Sequence, residues 1–122
     1  MAWTEEEIAR IGAIEEIEIA GVRGNGTMRT HRIVWVVRVG DELYVRSVLG
    51  ASAAWFRGVR ERDEGHIQGD GIDRDVAFVP TDPALNDRID EAYRVKYGAG
   101  TAPVVAITND QARATTLTLI PR

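Results

Sequence analysis

Residues 29–60 read RTHRIVWVVRVGDELYVRSVLGASAAWFRGVR. Two apolar runs stand either side of Gly40-Asp41, followed by a loop of small residues and the start of a helix. Ile33 to Val37 is apolar without interruption, the pattern of a strand covered on both faces. Gly40-Asp41 turns the chain, and residues 42–48 return as a strand. On it Leu43, Val45 and Ser47 share one face, and Tyr44, Arg46 and Val48 share the other. Gly50-Ala51-Ser52 reads as a loop, with Ser52 the expected N-cap of a helix over residues 53–62. Trp55 and Val59 fall at i, i+4 on that helix.

Upstream, Thr4-Glu5-Glu6-Glu7 is a capping box that opens a short helix to about Ile11, stopped by Gly12. Residues 16–20 alternate polar and apolar, as a half-buried strand does. Gly24-Asn25-Gly26 supplies a hairpin turn. The first strand is therefore expected to pair antiparallel with a second over residues 28–39. Downstream, residues 64–68 and 72–80 form a hairpin about Gly69-Asp70-Gly71. Asp82-Pro83 opens a third helix, with Leu85, Ile89, Ala92, Tyr93 and Tyr97 as its apolar stripe and Gly98 as its stop. Residues 104–108 carry no clear assignment. Residues 112–120, rich in Thr and Leu, read as a last strand. This order of hairpins with helices between them predicts an α+β antiparallel barrel of about six strands and about three helices.

A chain of 122 residues is expected to form a single domain. Residues 1–23 carry the first helix and strand, 24–97 the barrel region, and 98–122 a C-terminal extension with the last strand. The absence of cysteine excludes disulfides, thiolate metal sites and cysteine nucleophiles. With no signal-like start and no apolar run of membrane length, a cytoplasmic protein is expected, without membrane association. Charge is unevenly spread. Residues 1–22 hold six acids and one arginine, net −5; residues 63–97 hold nine acids and four bases, net −5. Residues 29–62 hold seven arginines and three acids, net +4. A basic stretch between acidic flanks fits a local anion site better than a nucleic-acid face. His31 and His66 are the only histidines and lie outside zinc-ligand spacing, so no metal site is expected. Ser47 and Ser52 lack a hydrolase motif. Gly21-Val22-Arg23-Gly24-Asn25-Gly26 opens no helix and is not a dinucleotide loop. Glu16, Glu18, Asp73 and Asp75 read as solvated faces, and Trp35 and Trp55 as packing residues.

Gly26-Thr27-Met28-Arg29-Thr30-His31-Arg32-Ile33-Val34-Trp35 resembles the entry of the flavin and deazaflavin split-barrel proteins. This group includes the deazaflavin-dependent nitroreductases and the pyridoxamine-phosphate-oxidase-like proteins. Gly40-Asp41 with Tyr44 and Ser47, the segment from Gly50 to Trp55-Phe56, and the 64–80 hairpin are similar to its later elements. The chain looks most like an uncharacterised domain-of-unknown-function family within that group. The resemblance implies a split β-barrel homodimer that holds flavin mononucleotide (FMN) or a deazaflavin and passes a hydride to a small quinone-like or nitroaromatic acceptor. The alternative is a non-catalytic dimeric module that binds a cofactor or small molecule on the same fold. By position, Arg29, Thr30 and Ser47 would face the cofactor, Gly50 and Ser52 would offer backbone N–H groups at the helix start, and Trp55 would support that loop. Charge adds Arg32, Arg46, Arg57 and Arg60 as candidate cofactor-binding residues. Val48 stands where the family carries lysine.

Overall fold

The computed structural model describes residues 2–122. Thr4 caps α1 (Glu5–Ala13) with both bonds of the capping box. Gly12 does not end α1; the helix runs on to Ala13. Gly12 instead gives Arg38 room, since a Cβ there would stand 3.1 Å from the Arg38 Cβ.

Seven strands follow: β1 (Glu16–Gly21), β2 (Arg32–Trp35), β3 (Val37–Val39), β4 (Glu42–Val45), β5 (Glu64–Gly69), β6 (Ile72–Pro80) and β7 (Leu117–Pro121). They form one antiparallel sheet in the order β2-β1-β5-β6-β7-β4-β3. The two outermost strands, β2 and β3, are halves of one run broken at Val36, so the ends of the sheet are covalently joined and the sheet closes on itself. The expected α+β barrel is present, with seven strands rather than about six and five α-helices rather than three among the described residues.

The break at Val36 has an identifiable cause. The Val36 N–H donates to the Tyr97 hydroxyl at 3.2 Å, and Lys96 Nζ donates to the Val36 carbonyl at 2.6 Å. Side chains from α3 (Asn86–Tyr97) thus satisfy the backbone groups that leave the ladder. Desolvation pushes the Lys96 amine down to about 8 and the Tyr97 hydroxyl up to about 12. Trp35 stacks on Tyr97 with ring centroids 3.9 Å apart. Tyr97→Phe keeps the stack but strands the Val36 N–H, so it is expected to cost about 1–3 kcal/mol in urea denaturation.

Inside the barrel, Ile17, Ile19, Val34, Leu43, Val45, Ile67, Val76, Phe78, Leu117 and Leu119 make the main core, to which α1 adds Ile8 and Ile11. A second core outside the barrel packs Ile89 and Tyr93 of α3 and Ile107 of α4 (Ala102–Ile107) on Val37 and Tyr44.

The expected 69–71 turn holds: Asp70 and Gly71 take φ of 48° and 76°, as a two-residue hairpin loop needs. Other expectations need correction. The second strand enters the ladder only at Arg32; before it, Val22 and Met28 make an isolated bridge. The strand after Gly40-Asp41 ends at Val45. Ser52 is not an N-cap. It lies in a 3-10 turn over Gly50–Ser52, its hydroxyl donates to the Leu49 carbonyl at 3.2 Å, and Ala53 caps α2 (Ala54–Arg60) without a side-chain bond. Residues 98–111, which include the unassigned 104–108, are in good part helical. They hold α4, with Pro103 in its first turn, and the start of α5 (Asp110–Arg113), capped by Asn109. The last strand therefore starts at Leu117. It lies between β6 and β4, so the C-terminal stretch is an interior member of the sheet.

Candidate functional site

The ladder that closes the barrel is short: Val37–Val39 pair with Glu42–Tyr44, while β2 pairs only with β1. Along the free edge of β2 the barrel is split, and Trp55 of α2 walls two cavities there. One is a mainly apolar groove of about 290 Å³ lined by Ile33, Trp35, Val48, Trp55, Pro103 and Ile107, together with Glu16 and Arg46. The other is a cup of about 150 Å³ that includes Arg23, Arg29, Thr30 and Arg32. α2 reaches this position because Gly21 lets the backbones of β1 and α2 touch and Gly58 leaves room for the Arg29 side chain. A Cβ on Gly21 would lie 2.6 Å from the Gly58 carbonyl oxygen, and one on Gly58 would lie 2.8 Å from Arg29 Cδ.

Arg29, Thr30, Arg32 and Trp55 thus line one cup. Arg29 is shared: its Nη2 donates to Glu61, while its buried Nε has no hydrogen-bond partner among the described residues. That Arg29 bond, with the Gly24 N–H at 2.8 Å, holds the Glu61 carboxyl below its usual range. Arg32 makes no ion pair among the described residues. Arg46 is a wall rather than a free cation. Its side chain is fully buried and donates to Asp90 at 2.5 Å, Thr116 at 2.9 Å and the Ile107 carbonyl at 3.2 Å. Ser47 is buried; its N–H donates to Thr115 at 2.8 Å, and its hydroxyl has no protein partner.

The remaining expected residues stand apart. The Gly50 N–H already donates to the Ser47 carbonyl at 3.0 Å, and Gln111 packs over its Cα. Ser52 is exposed, Arg60 pairs with Asp63 at 3.0 Å, and Arg57 is exposed. None of these four lines the groove or the cup. Sequence reasoning missed Glu61 and Pro103. Pro103 directly precedes the unassigned stretch, and Glu61 is one of many acids with nothing local to mark it. No group of three or more His, Cys, Asp or Glu side chains among the described residues is placed to hold a metal ion, and no helix there is long and apolar enough to cross a membrane.

The sequence matches, over residues 7–119, the family model described as "Uncharacterized protein conserved in bacteria (DUF2255)". The chain belongs to the DUF2255 family. The resemblance read from its residues is borne out at that level and in the fold. No curated protein matches the DUF2255 chain. Among solved structures it is similar to HutZ, the heme storage protein from Vibrio cholerae (TM-score 0.66, 14% identity, 97% of this chain and 89% of that one). It is also similar to a candidate pyridoxamine 5′-phosphate oxidase from Listeria innocua (TM-score 0.63, 15% identity, 97% and 92%). An F420 reductase aligns over 98% of this chain and 94% of its own, with TM-score 0.57 and 15% identity. At these identities the likeness is one of fold.

Proposed function

We propose that the DUF2255 chain holds FMN or a deazaflavin in the split of its barrel and acts as an oxidoreductase toward a small quinone-like or nitroaromatic acceptor. The observation that carries this reading is the shared Trp55 wall between the apolar groove and the arginine-lined cup. A planar ring fits against Trp35 and Trp55, and an anionic tail fits at Arg29, Thr30 and Arg32. The unpartnered Nε of Arg29 is the kind of donor that a phosphate would satisfy. In such a site the cofactor carries the hydride, and the protein supplies position, polarity and exclusion of water. Two charge-assisted bonds give roughly 3–6 kcal/mol, against about 8 for micromolar affinity, so ring burial has to supply the remainder. The groove of about 290 Å³ is small for that task. A second copy covering the exposed Ile33, Val48 and Leu49 would complete it, which makes the homodimer part of the proposal.

Glu61 on Arg29 favours a second reading, a binding module without turnover, because a carboxylate beside the cup opposes a doubly charged phosphate. One experiment separates the two. FMN, riboflavin, a deazaflavin and heme are titrated by absorbance and tryptophan fluorescence, and quinone reduction is then assayed. Arg32→Ala is expected to weaken FMN about tenfold or more and to leave riboflavin unchanged, since only FMN carries the phosphate. Binding without reduction of quinone or nitroaromatic acceptors establishes the module. No binding of any of them at hundreds of micromolar overturns both readings. Light scattering across a dilution series tests the dimer.

A further inference from the structure

The two histidines of this chain, 35 positions apart in sequence, meet in the fold: His31 Nε2 and His66 Nδ1 are 3.0 Å apart. The reason lies in the strand register. His66 pairs with Ala20 on β1, and one step beyond the β1–β2 ladder puts His31 on the far side of Ala20. The small alanine lets the two imidazoles close over it, edge to face at 88°. On the other side, His66 Nε2 bonds Asp73 Oδ1 of β6, and Gln68 donates to the second Asp73 oxygen at 3.3 Å. An ionised carboxylate only accepts, so His66 carries its proton on Nε2. Its Nδ1 then accepts from His31 Nε2–H. His31 Nδ1 is left without a protein partner among the described residues. The arrangement repeats the logic by which a carboxylate fixes the tautomer and orientation of a working imidazole.

Its position connects it with the site above. His31, Ile33 and Trp35 alternate onto the outer face of β2, and Ile33 and Trp35 line the groove. His31 stands one row beyond Ile33, roughly 7 Å along the strand. Its sequence neighbours Thr30 and Arg32 line the cup.

We propose that His31 is the proton donor to an acceptor that meets the cofactor ring at the Ile33 end of the groove, outside the volume the ring fills, and that His66 and Asp73 are its positioning residues. The proposal rests on the oxidoreductase reading. Two-electron reduction of a quinone-class acceptor adds one hydride and one proton. The hydride comes from the reduced FMN or deazaflavin proposed above, which is left oxidised. His31, as imidazolium, gives its Nδ1 proton to the acceptor oxygen and is left as the neutral imidazole, still donating Nε2–H to His66; solvent then restores the proton. Asp73 balances the imidazolium charge through His66. The His66 bond already holds the Asp73 carboxyl below its usual range. The other charged groups on this face are Glu18 of β1 and Asp75 across the ladder from His66; Arg32, next to His31 in sequence, points to the opposite face.

The test compares wild type, His31→Gln and Asp73→Asn, each with measured FMN and deazaflavin affinity, so that cofactor binding is read apart from turnover. His31→Gln keeps an N–H near the place of Nε2, and with it the contact to His66, but has no transferable proton. It is expected to lower kcat for quinone reduction about 100-fold or more, with KM and cofactor affinity unchanged. Asp73→Asn is expected to lower kcat by a smaller factor. In ¹⁵N NMR of the imidazoles it should also shift His66 away from the Nε2–H tautomer, a readout that needs no cofactor. Equal turnover by wild type and His31→Gln overturns the donor role alone. Wild type that binds no cofactor overturns the oxidoreductase reading and the donor role together, and the His66 tautomer then stands as a structural feature only.

Discussion

Asp90→Ala is expected to destabilise the protein by about 3–5 kcal/mol, measured by urea denaturation, because it leaves a buried guanidinium without its counter-ion. Arg46 and Asp90 have side-chain exposures of 0% and 7%. The guanidinium is anchored by Asp90, Thr116, Asn86 and the Ile107 carbonyl, and it lies 5.4 Å from the centroid of the Tyr93 ring. It therefore ties the end of β4 to α3, α4 and the approach to β7. Removing Asp90 alone keeps the desolvation cost and removes the attraction that offsets it. Replacing both, as Arg46→Met with Asp90→Leu, is expected to cost far less, since Arg113, which also meets Asp90 at 3.3 Å, keeps Asp87 at 2.8 Å and no charge is left unpaired. If Asp90→Ala unfolds at the wild-type urea midpoint, the ion pair is not the tie that the geometry describes. Loss of the pair also frees Ile107, so the groove wall is expected to loosen along with the fold.

Gly21→Ala is expected to have the second large effect, on stability and on the site together. The new methyl would stand 2.6 Å from the Gly58 carbonyl oxygen and 2.8 Å from Val59 Cα. Both are backbone atoms, so no side chain can rotate away and α2 has to move. Overpacking of this kind costs typically about 1–3 kcal/mol. Val59 is buried in the main core, and Trp55 on the same helix walls both cavities. Displacing α2 should therefore weaken ligand binding beyond what lost stability explains. Thermal unfolding and cofactor titration of the same variant measure the two effects. Unchanged binding by a fully stable Gly21→Ala protein would refute the close β1–α2 approach.

The parts of the fold that the sequence made legible are those set by short-range rules. The capping box at Thr4–Glu7, the turn at Asp70-Gly71, the stop at Gly98 and the alternation in β1 act over a few residues, and each appears as expected. Gly12 and Ser52 misled because their usual roles gave way to tertiary demands: close packing against Arg38, and a 3-10 turn that carries the chain from the end of β4 into α2. Residues 98–111 hid α4 and α5 because short helices of six and four residues give too few turns for a periodic signal. Of the candidate cofactor residues, Arg29, Thr30, Arg32 and Trp55 converge on one cup. Arg46 looked no different in sequence from the other arginines, and its burial depends on Asp90, 44 positions away.

By itself, then, the sequence determined the approximate places of the strands, their turns, the family and the basic stretch between residues 29 and 62. Periodicity and turn chemistry specify which face of a strand is buried, but they do not say which strands lie side by side. Tertiary structure decided the closure of the sheet through the break at Val36, the insertion of β7 between β6 and β4, and the split walled by Trp55. It also decided the meeting of His31 with His66, because strand register across β1 brings together side chains that nothing in the local sequence connects.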